Sequence, residues 1–387
     1  MIYKSASPLS PNITLLFNGV EVNYNSLYGA DLHVEENHHD LLVVKMAGIP
    51  ARLLLDYLGV PVYFVINSGS NRIQEFTGYV SNIEPTNIAT AGVVNRSAFQ
   101  DVHIYCIGAS YVMKGARSAH WSPPSLRTVV NTLSKRYDFS AEFPADAMTL
   151  SDLSQIGESD WAFLIKVAER YGYRVLVNGT HIHVWDPFKA TGRVSSYHEL
   201  ISANSAVGAQ PCTILSFEGT FGLMTESGGI PASTVAFLDN QGNTLQVSSK
   251  DVRAKSYLGD SWDSSFESFR TSNSLSFQEA QREVLRNRKN NMPFEATVTV
   301  TAGAGIKPGG VVNVLNYGSD FDGLWYVRSV QHEVGQNHYS THLKILKDGM
   351  YNETLRVASV SSPKRPPDPR VISTKWVTTS RRVIEYV

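Results

Sequence analysis

The sequence predicts a mainly β, α+β protein: two related β-barrels, a small α/β unit between them and an extended C-terminal tail. Three observations carry this. An apolar strand, a turn and a second strand occur twice, far apart. The clearest helical periodicity lies between the two copies. A proline-rich stretch follows the second.

The repeat reads Val62-Tyr63-Phe64-Val65-Ile66-Asn67-Ser68-Gly69-Ser70, then Phe76-Thr77-Gly78-Tyr79-Val80. It returns as Val311-Val312-Asn313-Val314-Leu315-Asn316-Tyr317-Gly318-Ser319, then Phe321-Asp322-Gly323-Leu324-Trp325-Tyr326-Val327. Short apolar runs bounded by Asn, Gly and Ser are strand and turn signals. Two copies with the same order of turn, Phe-x-Gly and Tyr-Val predict two barrels of related build.

Residues 1–112 are expected to form the first barrel, with alternation clearest in Val102-His103-Ile104-Tyr105-Cys106-Ile107. Residues 113–205 are expected to form the α/β unit. Ser122-Pro123-Pro124 reads as a helix start, because Ser caps free N–H groups and proline at the first position loses no hydrogen bond. Leu126, Val129, Val130 and Leu133 then recur at helical spacing. A second helix starts at Ser159, carries Trp161, Leu164, Ile165 and Ala168, and stops at Gly172. Asn178-Gly179 predicts a hairpin with positive φ at both turn positions, returning along His181 to Trp185. Residues 186–210 read as a connector. The second barrel spans 206–348, interrupted by a long helix at about 276–290. Residues 349–387 hold the linker, with Pro363, Pro366, Pro367 and Pro369, and a β-prone tail.

Composition narrows the function. A chain of 387 residues exceeds one ordinary core. Hydrophobic content of 42% against 18% charged describes a globular protein. Lys and Arg number 34 against 35 Asp and Glu, which gives no footprint for tight nucleic-acid binding. Cys106 and Cys212 are too few for a disulfide scaffold and read as buried thiols. Met1-Ile2-Tyr3-Lys4-Ser5 lacks the features of a signal peptide, and no run reaches the ~20 apolar residues of a membrane span. Folding in a reducing cytoplasm, without stable membrane insertion, is the expectation.

The unit from Gly157-Glu158-Ser159-Asp160-Trp161 to Tyr171-Gly172-Tyr173, with its Asn-Gly hairpin, resembles the late control protein D family of tailed phages. The same pattern is found in T-even baseplate hub proteins and in the N-terminal hub part of type VI secretion spike proteins. Lys307-Pro308-Gly309-Gly310-Val311 through Tyr326-Val327 to His332-Glu333 looks like the family's second, tube-type barrel. The resemblance covers roughly residues 60–185 and 275–346. It implies a virion structural protein of the tail or baseplate, assembled in the host cytoplasm. It also implies a homotrimer whose double barrels make a quasi-sixfold ring between the tail tube protein and a central spike, with other baseplate proteins around it. The chain ends soon after the second barrel, so the spike or tail-tip protein is expected to be separate.

Catalysis is not expected. The chain has no Gly-x-Ser-x-Gly elbow, Walker loop or dinucleotide fingerprint. Asp152, Glu158 and Asp160 sit near a helix start, where acidic groups favour the helix dipole. A tail-tip cell-wall hydrolase, needing an acid pair in a cleft, and a carbohydrate-binding host-contact module are the alternatives. His181-x-His183 places two imidazoles on one strand face, and Asp186 is a possible third metal ligand. A site needs three or four and no fourth can be named, so the favoured reading is exposed strand residues. His332, His338 and His342 read as barrel-surface residues. No metal and no cofactor are expected.

Partner contacts are expected in two places. Arg282 and Arg286 share a helix face at four-residue spacing, suited to a charged contact with a neighbouring subunit or tube ring. In the tail, Trp376, Ile384 and Tyr386 are too apolar for an idle terminus and would dock on another chain, with Arg381 and Arg382 meeting acidic groups at the rim.

Overall fold

The computed structural model describes residues 12–22, 27–50, 56–68, 71–85, 99–121, 125–143, 153–170, 172–186, 198–203, 212–221, 233–238, 244–250, 266–269, 294–303, 305–318, 321–335, 338–347, 372–378 and 382–386. The first part carries β1 (Asn12–Phe17), β2 (Val20–Glu21), β3 (Leu27–Glu35), β4 (Leu41–Pro50), β5 (Pro61–Ser68), β6 (Asn71–Pro85) and β7 (Phe99–Gly108). A 3-10 turn, Ala109–Lys114, leads into β8 (Ala116–Trp121), α1 (Leu126–Arg136), β9 (Ser140–Glu142), β10 (Leu153–Ser159), α2 (Asp160–Arg170), β11 (Arg174–Asn178) and β12 (His181–Trp185). Then come β13 (His198–Ser202), β14 (Thr213–Phe221), β15 (Ser233–Leu238), β16 (Thr244–Lys250), β17 (Phe266–Phe269), β18 (Phe294–Thr301), β19 (Val311–Leu315), β20 (Gly323–Gly335) and β21 (Tyr339–Lys347). The tail forms β22 (Ile372–Thr378) and β23 (Arg382–Tyr386).

The fold is mainly β. One 13-stranded sheet runs β19-β13-β14-β18-β21-β20-β3-β4-β7-β6-β5-β1-β2, and β19 also pairs with β20. That extra pairing closes β13, β14, β18, β21, β20 and β19 into a barrel. Alternation drives it. Along β21 every second residue is buried, and Val298, Val300, Trp325, Leu343 and Ile345 fill the inside. The first part follows the same plan, with Leu32, Leu42, Phe64, Ile66 and Ile104 in its core.

The α/β unit has its own core. Leu126, Val129, Val130 and Leu133 of α1 are buried, as their spacing requires, against Phe163, Leu164 and Val167 of α2. The cap of α1 is Ser125, whose Oγ accepts the Thr128 N–H at 3.0 Å; the expected start, 122–124, lies outside the described residues. Ser159 caps α2 by accepting the Ala162 N–H at 3.1 Å, and Gly172 ends it with φ +76°. The β11–β12 turn is Gly179-Thr180, since Asn178 pairs with His181. Only Gly179 has positive φ, so glycine occupies the first central position and Asn178 belongs to the strand.

The stretch expected as a connector contains β13, a strand of the closed barrel. His332 is fully buried, not on the barrel surface. It shares hydrogen bonds with the Tyr339 hydroxyl at 3.0 Å and the Thr341 hydroxyl at 3.3 Å. The helix expected at about 276–290 lies outside the described residues.

Candidate assembly interface

The two repeats match in backbone more closely than in letters. Before β5, the Val60 N–H donates to the Tyr57 carbonyl at 3.2 Å, and Gly59 has φ +75°. Before β19, the Gly310 N–H donates to the Lys307 carbonyl at 3.1 Å, and Gly309 has φ +82°. Both are tight turns with glycine where the backbone must be left-handed. Each turn is then clamped by the second strand. Gly59 N–H donates to Val80 O and Val80 N–H to Val60 O, at 2.9 and 3.0 Å. Gly309 N–H donates to Val327 O and Val327 N–H to Gly310 O, both at 2.9 Å.

This register equates Pro61 with Val311, Val62 with Val312, Tyr79 with Tyr326 and Val80 with Val327. The β6–β7 ladder shifts between Val80 and Asn82, and the β20–β21 ladder between Val327 and Ser329. The Tyr-Val pair and its bulge are therefore the true repeat. The Asn-x-Gly-Ser and Phe-x-Gly positions do not superpose in this register, because the two connections differ in length.

The correspondence extends to six strands. In chain order β1, β3, β4, β5, β6 and β7 answer to β13, β14, β18, β19, β20 and β21, and the spatial order is the same. One difference matters. β13 runs parallel to β19 and reaches β14, closing the ring. β1 runs antiparallel to β5 and does not pair with β3. Instead β3 pairs with the far half of β20, from Ser329↔Glu35 to Gly335↔Gly29.

That seam joins the two halves of the chain, and its counterparts are open. On β6, no strand covers the β5-side edge beyond Val80 among the described residues. On β14, no strand among the described residues covers the edge opposite β18 beyond Ile214. These edges are equivalent to the two that meet in the β20–β3 seam. Next to the β14 edge, at a ladder irregularity, Leu215 is 59% exposed. Such edges are templates for another strand.

A polar junction fixes the halves and the α/β unit together. Glu36, after β3, accepts from Arg174 of β11 at 3.1 Å and from the Tyr326 hydroxyl of β20. Trp185 of β12 donates to that same hydroxyl at 3.2 Å. Burial raises the Glu36 pKa, with Arg174 and Tyr326 opposing. Asn37 bonds Val175 through both backbone and side chain and donates to Glu169 at 2.7 Å.

Asp160, expected only to favour a helix dipole, is fully buried. Burial pushes its pKa up, but hydrogen bonds from Gln155, Tyr137 and Arg136 outweigh this and hold it low. It is a structural carboxylate. Burial pushes the Cys106 thiol up to about 12, which suits a core residue and not a nucleophile. His181 and His183 are joined by Glu142 of β9, which the sequence did not suggest.

Of the expected contact residues, Trp376 lies in β22, and Arg382, Ile384 and Tyr386 lie in β23. β22 pairs in parallel with β16 of the same chain, in a five-stranded sheet ordered β17-β15-β16-β22-β23. Arg381, Arg282 and Arg286 lie outside the described residues. No helix among the described residues is long and apolar enough to cross a membrane.

No family model matches the chain, and no curated protein matches it. Solved structures do. A tail protein from Neisseria meningitidis MC58 superposes with a TM-score of 0.65 at 14% identity, covering 88% of this chain and 98% of that one. The 43 kDa tail protein of prophage MuSo2 from Shewanella oneidensis gives 0.63 at 12% identity, over 88% and 99%. The E. coli c3393 protein gives 0.56 at 10% identity, over 87% and 78%. That protein is described as a type VI secretion system component with structural similarity to T4 bacteriophage tail proteins gp27 and gp5. The chain has the fold of these proteins.

Proposed function

We propose that this chain is a structural, non-enzymatic hub protein of a phage tail or baseplate. Three chains form a ring of six quasi-equivalent units that joins the tail tube to a separate central spike or tip protein. The fold shared with phage tail proteins supports the tail role. The observation that carries the ring is the β20–β3 seam: the equivalent edges on β6 and β14 are the two ends of one chain's double unit.

In this reading β6 of one chain pairs with β14 of the next. The register follows from the internal seam. Gln331 lies opposite His33, so Glu84 should lie opposite Thr220 of the neighbouring chain. Both Glu84 and Thr220 are exposed in the single chain. On the free edge the Ile83 N–H is satisfied by the Asn82 side chain at 2.9 Å, a local bond that an incoming strand replaces at little cost. The ring is built in the host cytoplasm and resides in the virion, with other baseplate proteins around it.

The tail sheet is the second contact. β23 has a free edge beyond its pairing with β22 among the described residues, so Arg382, Ile384 and Tyr386 offer the spike an added-strand site beside Trp376. Arg381 would meet acidic groups at the rim of that contact, and Arg282 and Arg286 a neighbouring subunit or tube ring.

The test is the double variant Glu84→Cys, Thr220→Cys. Facing strand positions bring Cα atoms within disulfide range. Oxidation should yield covalent trimers on a denaturing gel, reversed by reductant and absent in either single variant. Failure to cross-link, or cross-linking that ends at dimers or open chains, overturns the ring.

A further inference from the structure

The helix-hairpin unit places two histidines and a carboxylate together. His181 and His183 sit two apart on β12, so both rings leave the same face, with centroids 4.3 Å apart. β9 pairs in parallel with β12 and puts Glu142 beside His183. His183 Nδ1 lies 3.1 Å from Glu142 Oε2, and His181 Nε2 lies 3.9 Å from the same oxygen. All three ligand atoms fall within 4.8 Å of one another.

We propose that Glu142, His181 and His183 bind one zinc-class divalent cation, with water in the fourth position. Tetrahedral ligands at zinc bond lengths stand about 3.3 Å apart; here the carboxylate oxygen lies 3.1 and 3.9 Å from the two ring nitrogens, so small side-chain rotations complete the set. Two imidazoles and one carboxylate form a known type of zinc set. A second observation concerns orientation. The Ser140 hydroxyl holds His181 Nδ1, which leaves Nε2 directed at Glu142. Ligand histidines are typically fixed this way through their other nitrogen.

The bound ion would clip the short strand β9 to the edge of the hairpin. It would thereby tie the segment after α1 to β12, whose Trp185 enters the Glu36 junction.

The test uses the full chain, stripped with chelator and titrated with zinc or cobalt. One equivalent should bind, with a tetrahedral cobalt spectrum and a raised melting temperature. His181→Ala, His183→Ala and Glu142→Gln should each abolish stoichiometric binding while the metal-free chain stays folded. Ser140→Ala should weaken it by roughly 10–100-fold. Acid should release the ion. Absence of stoichiometric uptake, or uptake unchanged in the His181→Ala, His183→Ala double variant, overturns the site.

Discussion

The two halves share a strand plan and differ in how it is finished. The second half is a closed ring, because β13 runs parallel to β19 and reaches β14. The first half is left unjoined between β1 and β3, and β3 is spent on the other half's β20. One strand direction decides the matter. The joining edges come from strands that outrun their partners: β20 extends past its pairing with β19 and there carries β3. That overhang, repeated on β6 and β14, turns two similar units into a linked pair with matching ends.

The largest test of this comparison sets the covered edge against the free one. Val330 and Val34 face each other in the seam and are both buried. Val330→Asp should cost about 4 kcal/mol, since an unpaired carboxylate is forced into a dry site. Its counterpart Ile83 is half-buried against the first core, so Ile83→Asp should cost less in the isolated chain, about 1–2 kcal/mol, and still prevent trimer formation. Denaturant unfolding and solution mass measure the two effects. Equal costs at both positions would break the equivalence of the edges.

Acid should act on the second half through His332, whose equivalent in the first half is Pro85. The first half has its own half-buried histidine, His39, whose pKa burial lowers to about 4. Burial pushes the His332 pKa down to about 3. With the folded value below the unfolded one, the unfolded state binds the proton first. Stability is full above about pH 6.5 and falls as pH drops towards 3, by about 2.5 kcal/mol at about pH 4.5. Glu36 and Asp40, whose pKa values burial raises, push the other way. The difference between wild type and His332→Gln therefore isolates the effect. A difference that does not grow on acidification would contradict it.

The smallest test compares the paired glycines. Gly59→Ala meets only the left-handed backbone penalty, since nothing lies within 4 Å of the added carbon, and should cost about 1 kcal/mol. Gly309→Ala would also place that carbon 2.6 Å from the Trp185 ring, and should cost about 2–3 kcal/mol. Chemical denaturation resolves the two. Similar values would mean that the Trp185 ring moves aside.

The fold class, the duplication and the two helices were legible because local pattern carries them. Spacing alone found the buried face of α1, and Tyr-Val marked both second strands. The register was less legible. Asn-x-Gly-Ser and Phe-x-Gly looked like the repeat, yet the shared geometry lies in the turns at Gly59 and Gly309, one preceded by Leu58 and the other by Pro308. Glu142 was missed as a neighbour of His181 and His183, because a parallel pairing between β9 and β12 leaves no local trace. Buried His332 was misjudged for a related reason. Its position alternates inward on β20, but its polarity spoke for the surface, and only Tyr339 and Thr341 across the ladder make burial tolerable. The open edges depend on which strands fail to meet, and no segment of sequence states that by itself.

β20 belongs to both halves: its first residues complete the barrel and its last ones carry β3. Glu36 and Tyr326, which meet beside that junction, are 290 residues apart in the chain. Synthesis therefore makes β3 long before its second partner exists, and for that interval a strand edge stands unprotected on the emerging chain. Chains with such distant pairings fold slowly and are exposed to aggregation. Once β20 arrives, neither half can melt without stripping a strand from the other, so the two should denature together in a single transition.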